Sequence, residues 1–292
     1  MIPETRSNRV FYSAKWPEAC PETYRNVTAI LDKYGVPHSA LQGTKDIWVR
    51  DFMPVQVSFG RFELYNYMPD YLRDYKQYHH LISDPAEVCR INEIPVDTGI
   101  TAVRMDGGNI VHGVGKVIMT AKVFEENPWA SVYELSHLLQ MHYCAELIIL
   151  PWDTREMYGH ADGIVRFVDD DTVIMTNYHQ FESKMAARFR NILKANFKKV
   201  HELNFKVKEL SPNSWAYINW LQTDKVLILP SFGIPEDEQA FRQIERWMPE
   251  YRGRIEMADA TDLVRNGGCL NCATWTIDDT KVIDYSVPKD MQ

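Results

Sequence analysis

The sequence lacks the usual features of membrane proteins, secreted proteins and nucleic-acid-binding proteins. None of its apolar runs approaches the roughly 18 residues that a membrane-spanning helix needs, and its start, MIPETRSNRV, has no apolar core of a secretory signal. Basic residues number 32 against 40 acidic ones, and the resulting net charge of -8 disfavours binding to nucleic acids. We therefore expect neither a nucleic acid nor a membrane as partner.

Cysteine is also scarce, since the chain has five cysteines among 292 residues. A small, odd number does not suit a disulfide framework and favours reduced thiols in a cytoplasmic protein. Low-complexity segments and linkers rich in proline, glycine or serine are missing too. With 45% hydrophobic and 25% charged residues, the composition is that of an ordinary globular protein. We expect residues 1–292 to form a single domain.

What the sequence does contain is an internal repeat. Five segments have the pattern of two β-rich runs around a short polar or glycine-containing turn, and their turn centres are 54 to 56 residues apart. The five segments are Val55–Tyr65, Asn109–Lys122, Ile164–Tyr178, Tyr217–Phe232 and Ala273–Val287. Together such units nearly account for the whole chain, which indicates a repeat architecture.

Three of these hairpins are followed by an amphipathic helix and then by a further β run. The helices are Trp129–Met141, Ser183–Phe197 and Glu236–Met248, and the β runs are 145–150, 199–205 and 254–258. A fourth helix, Pro21–Tyr34, has no hairpin before it, and placing it after the fifth hairpin would close the units into a ring. We predict an α/β fold of five pseudosymmetric strand–strand–helix–strand blades around one axis.

Dense polar clusters lie just before or at the start of four of the hairpins. Each alone is typical of a turn entering a strand, but together they offer a thiol, an imidazole and three carboxylates at one phase of the repeat. Equivalent positions of a ring meet near its axis, so we expect one site there. The clusters are Asp46-Ile47-Trp48-Val49-Arg50-Asp51, Asp106-Gly107-Gly108-Asn109, Gly159-His160-Ala161-Asp162 and Asn266-Gly267-Gly268-Cys269-Leu270-Asn271-Cys272.

These four motifs, in this order, resemble those of the agmatine deiminase family. That family belongs to the guanidine-modifying enzymes of the pentein, or five-bladed α/β-propeller, fold. The resemblance covers nearly the whole chain, and it implies a cysteine nucleophile, a histidine acid–base group, and carboxylates that bind the guanidinium or orient the histidine. On this pattern Cys272, His160 and Asp106 take the catalytic positions, and Asp51 and Asp162 take those of the guanidinium ligands.

The chemistry of guanidines explains why these residue types are needed. A guanidinium is planar and charged at neutral pH, so its carbon is a poor electrophile, and carboxylates can accept its N–H groups in a fork. A free thiol has a pKa of about 8.5 and is only a few per cent ionised at pH 7, but a nearby cation favours its thiolate. An imidazole can protonate the departing ammonia and then deprotonate the hydrolytic water.

Two further positions are candidate substrate-binding residues. The ring of Trp48 can face the cationic or apolar part of a substrate, although ordinary core packing explains this residue equally well. In the fourth hairpin, Tyr217-Ile218-Asn219-Trp220 loosely resembles the Y-x-N-F segment of the family, which makes Asn219 a candidate polar contact. We interpret Arg50 as a structural partner of nearby carboxylates.

The segment around the nucleophile departs from the family pattern. The family's G-G-G-N-I-H-C is replaced by N-G-G-C-L-N-C, and Asp106 stands where agmatine deiminases usually carry Glu. These differences leave the identity of the substrate open. Cys269 and Cys272 also form a C-x-x-C pair, but a strand is predicted after it instead of the helix of a redox motif, and it offers too few ligands for zinc. We expect no metal and no cofactor.

We therefore predict a cytoplasmic iminohydrolase that acts on a small guanidine compound. Agmatine is the leading candidate, and its products would be N-carbamoylputrescine, a precursor of the polyamine putrescine, and ammonia. The alternatives are deimination of free arginine or of peptidyl-arginine, transfer of the amidino group to an amine, and a catalytically inactive propeller used for binding. The sequence leaves the formation of a homo-oligomer open.

Overall fold

The computed structural model describes residues 1–280, and the strands of these residues form five separate three-stranded sheets. In every sheet the middle strand pairs antiparallel with one neighbour and parallel with the other. An antiparallel hairpin followed by a parallel crossover strand is the unit that the repeat predicts. The predicted five-bladed α/β architecture is therefore confirmed.

We number the sheets blade 1 to blade 5 in the chain order of their middle strands. Blade 1 contains Arg9–Ser13, His38–Leu41 and Thr274–Ile277; blade 2 contains Val55–Ser58, Arg61–Asn66 and Asp97–Arg104; blade 3 contains Val111–Gly113, Lys116–Thr120 and Glu146–Leu150; blade 4 contains Val165–Asp169, Thr172–Met175 and Lys199–Glu202; blade 5 contains Leu221–Gln222, Leu227–Ser231 and Ile255–Asp259.

The longer helices agree with the predicted ones to within a few residues, and shorter helices lie between the strands. The α-helices are Trp16–Ala19, Pro21–Lys33, Val49–Phe52, Asp70–Arg73, Pro85–Ile91, Lys122–Glu125, Val132–Tyr143, Ser183–Asn196, Pro235–Trp247 and Thr261–Val264. Their apolar faces pack on the blades. In Ser183–Asn196, for example, Phe189 and Leu193 are spaced four residues apart on one face, and both are buried in a cluster with Val173 and Met175 of blade 4.

The fifth predicted hairpin is the main correction to the sequence analysis. Its first run forms Thr274–Ile277, but this strand pairs with Arg9–Ser13 at the other end of the chain, with Trp275 opposite Phe11. The rest of that hairpin, residues 281–287, lies outside the described residues. Arg9–Ser13 supplies hydrogen-bond partners for backbone groups of Thr274–Ile277 that would otherwise be unpaired at a sheet edge. This pairing of the two chain ends closes the ring.

Two local features also differ from the prediction. Tyr217 and Ile218 were expected in a strand but lie in the 3-10 helix Ser214–Ile218, so the first strand of blade 5 is only Leu221–Gln222. The crossover of blade 2 is an elaborate insertion instead of a simple connection. It contains the helices Asp70–Arg73 and Pro85–Ile91 with the 3-10 helix Lys76–Leu81 between them. Within residues 1–280 no helix is long and apolar enough to cross a lipid bilayer.

Trp275 fastens blade 1 to blade 2, so we expect its removal to open the ring. It is buried, its indole N–H donates to the carbonyl of Pro54 at 2.9 Å, and its ring lies 5.2 and 5.5 Å from those of Phe11 and Phe62. Trp275→Ala should lower the free energy of unfolding by about 3–5 kcal/mol, measured by urea denaturation. The matched control is Trp129→Ala, because Trp129 is 59% exposed. Equal effects of the two substitutions would contradict this role of Trp275.

Candidate active site

One short turn of chain from each blade reaches the centre of the ring, and these five turns carry the predicted site residues. Neighbouring turns contact one another through the backbone: the Arg50 N–H donates to the Cys272 carbonyl at 3.1 Å, and the Asn271 N–H donates to the Asn219 carbonyl at 3.1 Å. The turns are the helix Val49–Phe52, the 3-10 helices Gly107–Asn109, Ala161–Gly163 and Ser214–Ile218, and the turn at 270–273. The repeat thus brings motifs from distant parts of the chain together.

Asp106 and His160 occupy equivalent places, each directly before its 3-10 turn. Their side chains meet, with His160 Nε2 3.0 Å from Asp106 Oδ2, and His160 Nδ1 lies 3.7 Å from Asp51 Oδ1 on the other side of the ring. Burial lowers the pKa of His160, but the charges of Asp51 and Asp106 raise it more, to about 9. The imidazole is therefore a cation at neutral pH and has a proton to donate.

The glycines of the second motif are required by this close packing. A Cβ at Gly108 would lie 2.5 Å from His160 Nδ1 and 2.7 Å from Asp51 Oδ1, and a Cβ at Gly107 would lie 2.0 Å from the Arg50 carbonyl oxygen. The Gly108 N–H instead donates to Asp51 Oδ1 at 3.1 Å. Because no side chain fits there, the two glycines let the turns of blades 2 and 3 approach each other.

Asp51 is buried, and its carboxylate lies between two hydrogen-bond donors and the His160 imidazole. Besides the Gly108 N–H, its carboxylate accepts the Tyr71 hydroxyl at 3.3 Å. Burial raises the pKa of Asp51, His160 lowers it, and Asp106 and Asp162 raise it further, so that the pKa is about 6. The ionised form of Asp51 is therefore costly in the empty site, and a bound cation would relieve that cost.

Cys272 is half-buried and borders the cavity, while Cys269 is fully buried. The Cys272 Sγ lies 3.3 Å from Asn219 Oδ1 and 3.7 Å from Asp162 Oδ2, and its backbone N–H donates to Asn219 Oδ1 at 3.2 Å. Burial, followed by the charges of Asp162 and Asp51, raises the pKa of the Cys272 thiol well above its ordinary value. Burial raises the pKa of Cys269 to about 12. Without a bound cation, Cys272 is a thiol and not a thiolate.

Asp162 and Asn219 lie beneath Cys272 and do not border the cavity. Asp162 Oδ2 accepts the side-chain amides of Asn219 at 3.0 Å and Asn271 at 2.7 Å. Its other oxygen, Oδ1, accepts no hydrogen bond from residues 1–280. Direct substrate contacts of Asp162 and Asn219 stay predictions, and both side chains hold the turn that carries Cys272.

Arg50 takes the structural place expected for it. Its guanidinium lies 3.7 Å from the Glu4 carboxylate, and its Nε donates to the Asn271 carbonyl at 3.4 Å. Together with the bond from its backbone N–H to the Cys272 carbonyl, these contacts hold the turn that carries Cys272 in place. Arg50 does not border the cavity.

A cavity of about 660 Å³ opens above these turns. Trp48, Asp51, His160 and Cys272 border it, so the structure brings four of the seven predicted site residues to its surface. Asp46, Asp70 and Asp74 also border it beside uncharged polar side chains, and among residues 1–280 no lysine or arginine does. The arrangement suits a cationic ligand placed between a carboxylate, an imidazolium and a thiol.

Sequence reasoning missed several residues of this site. Tyr71 comes from the insertion in blade 2, which carries no motif, while Tyr158 precedes the third motif and also borders the cavity. Lys122 is buried beside Asp106, 3.3 Å from its Oδ2. Asp46 belongs to the first motif, but nothing in the sequence indicated that its side chain borders the cavity. Among residues 1–280 no group of three or more His, Cys, Asp or Glu side chains forms a metal site.

The chain is similar to known deiminases in sequence and in structure. The family model of the Porphyromonas-type peptidyl-arginine deiminases matches residues 19–277. The agmatine deiminase of Pseudomonas fluorescens is 25% identical over 308 aligned positions, which cover 86% of this chain and 79% of that protein. Among solved structures, the agmatine deiminases of Enterococcus faecalis and C. jejuni both superpose with a TM-score of 0.69 and 94% coverage of each chain, at 16% and 17% identity. These superpositions show the pentein fold.

The raised pKa of Asp51 predicts that Asp51→Asn stabilises the empty protein. A pKa of about 6 in the fold, against 3.8 in the unfolded chain, means that the folded state binds this proton more tightly. Ionisation therefore destabilises the fold as pH rises from about 4 to 6, and the cost is complete at pH 7. Asp51→Asn should raise the free energy of unfolding by about 1–3 kcal/mol at pH 7 and by much less at pH 4. Urea denaturation at both pH values measures this, and a variant less stable than wild type at pH 7 would contradict it.

Proposed function

The chain belongs to the Porphyromonas-type peptidyl-arginine deiminase family and is a hydrolase of guanidine C–N bonds with the pentein fold, and from this premise we propose that its substrate is agmatine. The observation that carries the proposal is the cavity in which a thiol and an imidazolium face acidic side chains, with no lysine or arginine among the described residues that line it. Such a cavity suits a ligand that is cationic at both ends.

In the proposed mechanism Trp48 lies against the substrate chain, and Asp51 at the cavity surface and Asp162 Oδ1 behind Cys272 accept N–H bonds from the guanidinium. Its positive charge lowers the pKa of Cys272, whose proton is lost to solvent as the cation enters. The thiolate then attacks the guanidinium carbon, and a C–S bond forms. Asn219, which accepts from the backbone N–H of Cys272 at 3.2 Å, holds the sulfur in place.

His160 performs both proton transfers. As an imidazolium it donates its proton to the departing nitrogen, the C–N bond breaks, and ammonia leaves an amidino-thioether on Cys272. The neutral imidazole then accepts one proton from water, whose oxygen attacks the same carbon; the C–S bond breaks, and the remaining hydroxyl proton returns the departing sulfur to a thiol as the ureido product forms. Asp106 accepts the other ring N–H at 3.0 Å and keeps the imidazole oriented.

The acidic walls favour agmatine over free arginine. Arginine carries a carboxylate next to its amine, and no lysine or arginine from residues 1–280 lies at the cavity surface to bind that carboxylate. Asp46 is the best placed group for the amine of agmatine, because within residues 1–280 no cationic nitrogen lies within 4.0 Å of it. Burial, and after it the charge of Asp51, raises the pKa of Asp46 to about 7, as expected of a carboxyl group without a counter-ion.

The proposal has two further parts, which concern the location of the enzyme and the extent of its catalytic domain. We place the enzyme in the cytoplasm, because all five cysteines are free thiols and Cys144 is exposed. We also propose that residues 1–292 act as one catalytic domain, because the five turns that hold the site come from all five blades.

Cys272 should be the nucleophile and Cys269 should be dispensable for the chemistry. Cys272→Ala is expected to lower kcat by about 10⁴-fold or more, because no other thiol borders the cavity, while Cys269→Ala should keep turnover. The measurement is ammonia and ureido product formed from agmatine without an added amine. Acid quenching during turnover, followed by peptide mapping, should find the amidino group on Cys272. An amidino group on Cys269 would overturn the assignment, and activity that depends on an added amine would favour amidinotransfer.

Asp46 should select for a cationic tail. Asp46→Asn is expected to lower kcat/KM for agmatine roughly 10-fold or more, and to change kcat/KM much less for butylguanidine, which lacks the amine. The matched control is Asp74→Asn, since Asp74 also borders the cavity but is paired with Arg73 at 2.7 Å; its effect should be smaller. Equal losses on agmatine and butylguanidine would show that the amine binds elsewhere.

A further inference from the structure

Lys122 is a charged side chain buried in the protein interior, directly behind the candidate catalytic pair. It begins the helix Lys122–Glu125, and its side chain is 1% exposed. Its ammonium donates to Asp70 Oδ1 at 2.9 Å, to the Tyr158 carbonyl at 2.8 Å and to Asp106 Oδ2 at 3.3 Å. Burial of an ammonium is costly unless its donors are satisfied, and here all three are.

The bond from Lys122 completes the set of contacts that orients Asp106. Asp106 Oδ2 is shared between His160 Nε2 and Lys122 Nζ, while its Oδ1 is buried and has no hydrogen-bond partner among residues 1–280. The orientation of this carboxylate therefore depends on two contacts to one oxygen. Among residues 1–280, Lys122 is also the one lysine or arginine within 4.0 Å of Asp51, Asp106 or Asp162.

The same ammonium connects the catalytic pair to the wall of the cavity. Asp70 and Tyr71 start the insertion of blade 2, and the Lys122 Nζ lies 5.2 Å from the centre of the Tyr71 ring. The Tyr71 hydroxyl in turn donates to Asp51 at 3.3 Å. The Tyr158 carbonyl, two residues before His160, is the third contact. Three segments that surround the substrate position thus meet on one side chain.

We propose that Lys122 is a positioning residue for deimination: its ammonium holds Asp106 against His160 and fixes the Asp70–Tyr71 wall beside Asp51. The reaction it serves is the one proposed above. The alternative is that Lys122 only compensates buried carboxylates and supports the fold. The two roles differ in whether the effect of Lys122 depends on the Asp106 carboxylate, because an ammonium that only supports the fold affects turnover whether or not that carboxylate is present.

Several charged or titratable groups face Lys122, Asp106 and His160 from the surrounding elements. They are Asp51, Asp70, Glu126, Arg104, Tyr65, Tyr67, Tyr71, Tyr158 and Cys272. Glu126 lies 3.6 Å from Lys122, and burial together with Asp106 raises its pKa, so at neutral pH it is held largely protonated. The charge of Lys122 lowers the pKa values of both Asp106 and His160.

Removing the ammonium should therefore move both titrations upward. In Lys122→Met the acid and alkaline limbs of the kcat profile should shift by about 1 pH unit to higher pH, and kcat should fall about 10- to 100-fold as Asp106 loses its orientation. Lys122→Arg, which keeps the charge, should recover part of kcat and most of the limb positions. The matched control is Lys116→Met, because Lys116 also lies over an aromatic ring, that of Phe197 at 4.7 Å, but bonds only to backbone carbonyls away from the site.

A double-substitution cycle tests whether Lys122 acts through Asp106. If it does, Lys122→Met should change kcat little in an Asp106→Asn background, whereas additive losses would overturn the proposal. Asp106→Asn with Lys122→Met also removes the buried pair together, so it covers the case in which Lys122→Met alone does not fold.

An activity-independent readout separates this proposal from the proposed function. The His160 imidazole can be titrated by NMR in the wild type, Lys122→Met, Asp106→Asn and the double variant, with assignment by His160→Gln. The proposal expects Asp106→Asn to lower the His160 pKa in the wild type and to lower it much less in Lys122→Met, where the carboxylate is no longer held against the ring. An equal fall of the His160 pKa in the two backgrounds would contradict it even in an active enzyme. Absence of wild-type turnover on guanidines would instead contradict the proposed function, while the titration still reports the coupling.

Discussion

The structure depends on an imbalance of charge at the centre of the ring. Asp51, Asp106 and Asp162 are buried within one small region, and the only cations close to them among residues 1–280 are the His160 imidazolium and the Lys122 ammonium. Burial, together with the charges of these carboxylates, raises the pKa of the Cys272 thiol well above its ordinary value and that of Asp51 to about 6. The empty site is therefore short of positive charge, and a guanidinium supplies it. In this account the substrate itself activates the nucleophile, so a cationic group is required for chemistry as well as for binding.

The positions of these groups depend on contacts between the blades more than on the local sequence around each group. Each blade contributes one short turn, and the bonds between turns connect residues that are far apart in the chain: the bond from Arg50 to the Cys272 carbonyl spans more than 200 positions. The pairing of Thr274–Ile277 with Arg9–Ser13 closes the ring and fixes the turn that carries Cys272. The strand that follows the Cys272 turn is paired with the first strand of the chain. The pairing that closes the ring therefore also positions the nucleophile.

The repeat and the four motifs made much of this predictable. A spacing of about 55 residues sets blade size, and residues at one phase of a ring must converge, which predicted the meeting of Cys272, His160, Asp106 and Asp51. Pairing between the chain ends was not predictable from local patterns, since Ala273–Val287 resembles a complete hairpin. Lys122 carries no motif, and its role follows only from a packing in which Asp70, Asp106 and Tyr158 surround it. The place of Asp162 beneath the thiol depends likewise on amides of Asn219 and Asn271 from other turns.

The central claim, that a bound cation activates Cys272, is tested most directly by alkylation with two reagents of the same shape. 2-Chloroacetamidine carries an amidinium, and 2-chloroacetamide is its neutral counterpart. The rate constants for inactivation at pH 7.5, each divided by the rate constant of that reagent with a small free thiol, isolate the contribution of the protein. The account predicts a normalised rate about 30-fold or more higher for the amidinium, with the adduct on Cys272. Equal normalised rates for the two reagents would show that the thiol does not depend on a cation, and would contradict the account.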